Sequence, residues 1–281
     1  MNKKYQYQPV KFFALVFGFT WLFWIAAAVI GQQDENSGVM LLLMIAGLFV
    51  PAVVALCTIL FSKSKELKAD LKGKLFDLSR FKPLTILGVV VLFIAIILIS
   101  ILLSTFWGQS LDQIAFVEDF SFSVGGVPTL LTLILTATLE EIGWRAYAED
   151  ALADSRSWWR ATLIFGVLWA VWHLPLLFVP GTYQSGLLQE NIWYVVNFFA
   201  GIPAMAFLFT LIYVKTNRSI TSCILFHFFV NMMQEEIAMT ALTKCVETGV
   251  IYFAVAILVL LNKELFFSKK HIGKLLSYKD E

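Results

Sequence analysis

Long apolar runs, separated by short polar stretches, make up most of the sequence. They cover residues 12–30, 39–61, 84–107, 125–147, 161–180, 192–214, 220–239 and 249–267. A helix needs about 20 apolar residues to cross the hydrocarbon core of a bilayer, and each run is close to that length. The pattern therefore predicts an all-α, polytopic integral membrane protein with about eight transmembrane helices.

The composition supports the same class. Of the 281 residues, 59% are hydrophobic and 15% are charged, and the mean hydropathy is +0.78. Soluble domains contain about 25% charged residues. A net charge of +1 says nothing about nucleic acid by itself. With this hydrophobic composition the lipid bilayer is the expected surrounding, and a nucleic-acid partner is not expected. Cys57, Cys223 and Cys245 have no metal-ligand spacing, and a disulfide framework is not expected either.

The distribution of basic residues predicts the orientation, because lysine and arginine accumulate in cytoplasmic loops. They are concentrated in residues 62–83, 148–160, 215–219 and the C-terminal tail, whereas residues 31–38, 108–124 and 181–191 contain none. Lys244 is the exception. Both termini are therefore predicted to be cytoplasmic. The first run follows Lys3 and Lys4 as in a signal peptide, but it exceeds the apolar core of roughly 7–15 residues typical of such peptides. It predicts an uncleaved first span.

Residues 63–80 combine lysines with regularly spaced leucines. Leu67, Leu71, Leu75 and Leu78 follow one another at helical intervals. This spacing favours an amphipathic helix lying on the cytoplasmic leaflet. A solvated basic loop is the alternative interpretation.

The densest group of ionisable residues within an apolar run is Glu140, Glu141 and Arg145. Ionisable groups at membrane depth are costly and are normally paired and functional. On a helix, Glu141 and Arg145 are one turn apart and can form an ion pair. Glu140 shares a stripe with Trp144 and Tyr147 instead, without a local partner, and is a candidate general base. The alternative for these residues is a structural ion pair that joins two spans.

Two further runs carry imidazoles. His173 lies in the fifth run, just before Pro175, which is expected to kink the helix. His227 and Asn231 are one turn apart in the seventh run, and both can donate hydrogen bonds to an oxyanion. A satisfied core histidine and an interhelical hydrogen bond are the structural alternatives. Counted along the helices, the acids and imidazoles agree in depth within roughly 10 Å. This predicts one polar chamber that opens toward the cytoplasmic leaflet.

Three ordered motifs on separate spans resemble the CAAX protease and bacteriocin-processing family, and within it the prokaryotic homologues of the Ras-converting CAAX prenyl endopeptidase. The motifs are Glu140-Glu141-x-x-x-Arg145, Trp169-x-x-x-His173 and His227-x-x-x-Asn231. They occupy a catalytic core at 125–235. Trp169 departs from the family, which often has phenylalanine at this position.

The resemblance implies a glutamate-dependent intramembrane endopeptidase without a cofactor, in the cell membrane of a prokaryote. It would remove the last three residues from a prenylated CAAX protein or peptide. In this scheme Glu140 and His173 activate a water molecule, and His227 and Asn231 form the oxyanion hole. Glu141 and Arg145 brace the site.

Other interpretations of the same residues remain open. One is a zinc metalloprotease with Glu140, His173 and His227 as ligands and Glu141 as the base. Another is a cysteine enzyme, because Cys223 is one turn from His227. Outside catalysis, intramembrane charges also occur in proton-coupled transporters, and the family includes membrane scaffolds and immunity proteins.

Overall fold

The computed structural model describes residues 5–117 and 129–268, and these form a helical bundle. Its helices are α1 (Pro9–Gly31), α2 (Gly38–Leu60), α3 (Lys65–Phe76), α4 (Pro83–Ser104), α5 (Thr129–Gly143), α6 (Glu149–Ala153), α7 (Trp158–Trp172), α8 (Tyr183–Glu190), α9 (Ile192–Lys215), α10 (Ile220–Glu236), α11 (Ala241–Leu261) and α12 (Lys263–Phe267). In this part of the chain, β-structure is limited to one isolated bridge between Phe116 and Ile237. The predicted all-α class is confirmed.

Six helical segments are long and apolar enough to cross a membrane in the described part of the chain. They are Pro9–Gly31, Gly38–Leu60, Pro83–Trp107, Trp158–Phe178, Ile192–Lys215 and Ala241–Leu261. A polytopic membrane protein is therefore confirmed, but the expected eight spans are not all recovered. The two runs that fall short are the fourth and the seventh. They form α5, with 15 residues, and α10, with 17, and both are shorter than the roughly 20 residues that a span needs. These two helices carry Glu140, Glu141, His227 and Asn231.

The helix that carries the two glutamates is interrupted by a π-helical turn. Helix α5 runs into a π-turn at Trp144–Ala148, which continues directly as α6. The amide of Glu149 donates to the carbonyl of Trp144, five residues earlier. Such turns insert one extra residue and occur frequently at functional sites. No glycine or proline at these five positions indicated the turn in the sequence.

Close packing against α2 fixes the start of this π-turn. A Cβ atom on Gly143 would lie 2.5 Å from Cβ of Pro51 and 2.8 Å from its carbonyl carbon. Only glycine allows this approach, since the Pro51 backbone cannot move aside as a flexible side chain would. Helices α2 and α5 are thereby held together one residue before the turn.

The fifth predicted span ends as an α-helix at the candidate histidine. Helix α7 stops at Trp172, His173 follows as its C-cap, and a 3₁₀ helix covers Leu174–Phe178. Pro175 explains the change, because its ring cannot follow His173 in a regular α-helix without losing a hydrogen bond. At the position of the predicted kink, the structure changes from an α-helix to a 3₁₀ helix.

Helix α3 forms within the segment expected to be amphipathic. Ser64 caps its first turn by accepting from the amide of Leu67. Leu67 and Leu71 are buried in the protein core, so this face packs against the bundle. Leu78 lies beyond the helix and is exposed. The helix is confirmed, and its location on the cytoplasmic leaflet stays a prediction.

Buried ion pairs fasten α3 to the rest of the bundle. The guanidinium of Arg218 contacts both Asp70 and Asp150, and the ammonium of Lys74 contacts the same two carboxylates. Burial alone raises the pKa of Asp70, but the charges of Lys74 and Arg218 outweigh it and hold the pKa below its usual value. Arg218 has a left-handed backbone with φ of 64°, a conformation rare for residues other than glycine. Its ion pairs stabilise this tight α9–α10 turn.

Candidate active site

Glu140 is held by two indole groups. Its side chain is buried, and Oε2 accepts hydrogen bonds from Nε1 of Trp144 at 3.2 Å and from Nε1 of Trp169 at 2.8 Å. The expectation that Glu140 has no local partner is therefore wrong, because Trp144 is one turn away on the same helix. Both indoles bind the same oxygen. The other, Oε1, forms no hydrogen bond to the described residues and is the one that can meet a reactant.

Glu141 sits at the centre of a fully buried charged group. Its Oε1 accepts from Nη1 of Arg145 at 3.0 Å and contacts Nδ1 of His227 at 2.8 Å. The predicted pair of Glu141 with Arg145 is confirmed. Arg145 also pairs with Glu149, whose Oε2 lies 3.3 Å from its Nε. Glu149 was not predicted to take part, although its position one turn beyond Arg145 is a usable signal.

Aromatic rings enclose the guanidinium of Arg145. Its central carbon lies 4.9 Å from the ring centre of Phe165, 4.8 Å from Phe209 and 5.6 Å from Trp169. Cation–π contacts of this kind contribute about 1–2 kcal/mol when they are shielded from water. Two carboxylates and three rings together make this buried charge tolerable.

The hydrogen bond of His173 fixes its tautomer. Nδ1 lies 2.8 Å from the carbonyl oxygen of Trp169. A carbonyl can only accept, so the proton is on Nδ1. In the neutral ring Nε2 then carries a lone pair. His173 is half-buried, and this nitrogen can accept a proton from a reactant.

His227 and Asn231 lie one turn apart on α10, as expected. Nδ1 of His227 is occupied by the Glu141 carboxylate, so its remaining ring nitrogen, Nε2, points to the opposite side of the ring. Asn231 is half-buried, and its amide makes no hydrogen bond to the described residues. Two polar groups on neighbouring turns are therefore available to a ligand.

Trp169 brings the three spans together. Its indole donates to Glu140, and its ring centre lies 6.3 Å from the ring of His173 and 5.7 Å from that of His227. The acid and both imidazoles therefore lie around one side chain, and the polar chamber between them stays a prediction. From the sequence, Trp169 was expected only to open the second motif in place of the phenylalanine that the family often has. The usable signal was its indole N–H, because a buried indole donor usually has an acceptor.

The structure gives one observation on each of the two alternative catalytic groups, the zinc site and Cys223. Among residues 5–117 and 129–268, no three His, Cys, Asp or Glu side chains are close enough together to hold one metal ion. Cys223 is free, but its side chain is completely buried. A substrate cannot reach its sulfur without rearrangement of the core.

The fold and site define a polytopic helical membrane protein with a buried acid–imidazole centre, as expected of an intramembrane hydrolase. Residues 123–233 match the family of type II CAAX prenyl endopeptidases, Rce1-like. The chain is 40% identical over 269 residues to CAAX prenyl protease 2 of Methanococcus maripaludis, covering 96% of this chain and 99% of that protein. The chain therefore belongs to the type II CAAX prenyl endopeptidase family, and the resemblance inferred from the motifs is confirmed.

The two glutamates should differ in their effect on stability. Replacing Glu141 by Gln removes one of the two carboxylates of the buried Arg145, and breaking such a pair costs about 3 kcal/mol. Replacing Glu140 by Gln keeps an oxygen that accepts from both indoles. We expect Glu141→Gln to lower the apparent melting temperature clearly and Glu140→Gln to leave it nearly unchanged, as measured by circular dichroism in detergent. A larger loss for Glu140→Gln would contradict the assignment of Glu141 as the structural acid.

Proposed function

We propose that this protein is an intramembrane endopeptidase that removes the C-terminal tripeptide from prenylated CAAX proteins, with Glu140 as the general base. The observation that carries the proposal is the position of Trp169, whose indole binds Glu140 and whose ring centre lies 6.3 Å from that of His173 and 5.7 Å from that of His227. One carboxylate oxygen is fixed by Trp144 and Trp169, and the other has no hydrogen bond to the described residues. The substrate class is supported by the relative named CAAX prenyl protease 2.

Water activation falls to Glu140 and His173. A water molecule between Oε1 of Glu140 and Nε2 of His173 would have two acceptors for its protons. Glu140 takes one proton as the water oxygen attacks the scissile carbonyl carbon. General base catalysis of this type contributes about 10²–10⁴-fold to the rate.

Stabilisation of the resulting oxyanion falls to His227 and Asn231. Asn231 donates from its amide. His227 donates from Nε2 as an imidazolium, whose charge is balanced by the Glu141 carboxylate on Nδ1. The role of Glu141 is therefore indirect, and Arg145 holds it in position. Fixed donors of this kind act on charge that develops only in the transition state.

Collapse of the tetrahedral intermediate completes the reaction. The bond between the carbonyl carbon and the amide nitrogen breaks, and the nitrogen takes the proton that Glu140 accepted from the water. The products are a shortened protein that ends in the prenylated cysteine and a free tripeptide. Glu140 is regenerated as a carboxylate.

The proposed orientation places both termini and the mouth of the site on the cytoplasmic side. It rests on the distribution of lysine and arginine among the loops. The prenyl chain of a substrate would then lie in the inner leaflet. The peptide would enter the polar chamber from the cytoplasm.

A cleavage assay with purified protein tests the general base. We expect the wild-type protein to cleave a farnesylated CAAX peptide and Glu140→Gln to be inactive although folded, because its amide cannot take a proton from water. Glu190→Gln, at an exposed glutamate of α8, is the matched control. Exhaustive chelation should leave the activity intact, and loss of activity on chelation would favour the zinc alternative. Failure of the wild type on several prenylated peptides would favour a scaffold.

Asn231 provides the clearest test of the oxyanion hole, since its amide makes no hydrogen bond to residues 5–117 or 129–268 that the substitution would remove. Loss of one oxyanion donor lowers turnover about 10²–10³-fold. We expect Asn231→Ala to reduce kcat by this order and to change KM by less than about three-fold, as a transition-state interaction requires. Asn262→Ala, at the end of α11, should behave as wild type. A raised KM with unchanged kcat would contradict the assigned role.

Trp169 is expected to contribute through its hydrogen bond to Glu140. Trp169→Phe keeps an aromatic ring against His173 and His227 but removes the shorter of the two indole bonds. A hydrogen bond to a charged group is worth about 1.5–3 kcal/mol, which corresponds to roughly 10- to 150-fold in rate. Steady-state kinetics should therefore give a lowered kcat, whereas Trp193→Phe, at an exposed tryptophan, changes nothing. Full activity of Trp169→Phe would reduce Trp169 to a packing residue.

A further inference from the structure

The π-turn after the two glutamates leaves a backbone carbonyl that side chains must satisfy. In an α-helix, the amide of Glu149 would donate to the carbonyl of Arg145. Here it donates to Trp144 instead. The Arg145 carbonyl accepts from the hydroxyl of Tyr213 at 2.8 Å and from Nζ of Lys74 at 3.2 Å. An unsatisfied buried carbonyl costs about 1–3 kcal/mol, so these donors stabilise the π-turn.

Lys74 is the more dependable of these two donors. The single hydroxyl proton of Tyr213 is shared between the Arg145 carbonyl and Oδ1 of Asp150, which lies 3.0 Å away. The ammonium of Lys74 has three protons, and it reaches the carbonyls of Arg145 and Ala146, each at 3.2 Å, and a carboxylate oxygen of Asp150. Oδ2 of Asp70, 3.2 Å from Nζ, is a fourth oxygen around the ammonium, so each of the three protons has an acceptor.

No pattern in the sequence connects Lys74 with the active site. It lies on α3 among lysines that mark a cytoplasmic surface, and its neighbours Lys68 and Lys72 are exposed. The side chain of Lys74 is only 1% exposed. A buried ammonium needs charged partners, and Asp70 and Asp150 supply them. The helix is therefore oriented so that one lysine enters the bundle.

We propose that Lys74 is a positioning residue for the active site: from α3 it holds the π-turn in which Arg145 lies. This proposal rests on the proposed function. The turn sets the position of the Arg145 side chain, which is the ion-pair partner of Glu141. Glu141 in turn holds Nδ1 of His227. Lys74 acts through this chain of contacts and touches no substrate.

An anchoring role alone would have a different signature. If Lys74 only fastened α3 to the bundle, its loss would lower stability and leave the turnover of the folded protein unchanged. If it positions Arg145, the folded variant binds substrate but turns it over slowly. A displacement of about 1 Å at a catalytic group is enough to cost on the order of 100-fold in rate.

The test compares Lys74→Met with Lys72→Met, an exposed lysine on the same helix. The variant is expected to fold, because Arg218 still pairs with Asp70 and Asp150. We expect Lys74→Met to lower kcat on a farnesylated CAAX peptide by about 10- to 100-fold, with KM changed by less than about three-fold. Lys72→Met should match the wild type. Unchanged kcat in folded Lys74→Met, or a loss confined to KM, would overturn the proposal.

Hydrogen–deuterium exchange separates this proposal from the proposed function. Peptides that cover residues 144–153 should exchange faster in Lys74→Met than in the wild type or in Lys72→Met. Equal exchange would overturn the role of Lys74 in the turn. A wild-type protein that cleaves no prenylated peptide would remove the proposed function while exchange still reports on the contact. If Lys74→Met does not fold, Lys74→Arg decides. It keeps a positive charge beside Asp70 and Asp150, but a planar guanidinium does not reproduce the donors that the ammonium directs at the two carbonyls. Its kcat should therefore fall, and an unchanged kcat would contradict the proposal.

Discussion

The need to pair a buried guanidinium dominates the centre of this protein. Arg145 has no exposure to solvent and is held by Glu141, by Glu149 and by three aromatic rings. A charge in the membrane interior is stable only with such partners. These partners come from the helix of Arg145 itself, from α7 and from α9. Pairing one buried charge therefore fixes the positions of these three helical segments relative to one another. His227 on α10 joins the same group through Glu141.

Two adjacent glutamates have opposite surroundings, and this difference is the basis of the separate roles proposed for them. Glu141 contacts a guanidinium and an imidazole, and its position is fixed by charge. Among the described residues, Glu140 accepts hydrogen bonds only from two neutral indoles, and both bonds end on Oε2. A group that must gain and lose a proton is better served by neutral neighbours than by a permanent ion pair. Adjacent positions on a helix lie about 100° apart around its axis, and this keeps the two environments apart.

Local rules predicted one contact within a helix and missed two others at the same spacing, Glu140 with Trp144 and Arg145 with Glu149. They failed for the contacts that depend on tertiary structure. The pair of Glu141 and Arg145 followed from a spacing of one turn. The bond from Trp169 to Glu140 joins residues 29 positions apart, and no periodicity indicates it. The π-turn could not be predicted because its stabilising donors come from α3 and α9. The role of Lys74 was missed because its charge matched the basic pattern of the cytoplasmic loops. Nothing in the sequence distinguished it from its exposed neighbours.

The same long-range contacts show why the motif-bearing region is not a self-contained unit. Residues 123–233 match the family, yet several of their polar groups are satisfied from outside that range. Trp172 donates to Thr20 at 3.1 Å, and the carbonyl of Trp172 accepts from Trp21 at 3.2 Å. Gly143 packs on Pro51, and the carbonyl of Arg145 depends on Lys74. Since buried polar groups without partners are costly in a membrane, the first three helices are part of the active-site scaffold. They contribute no reacting group, but the geometry of the reacting groups depends on them.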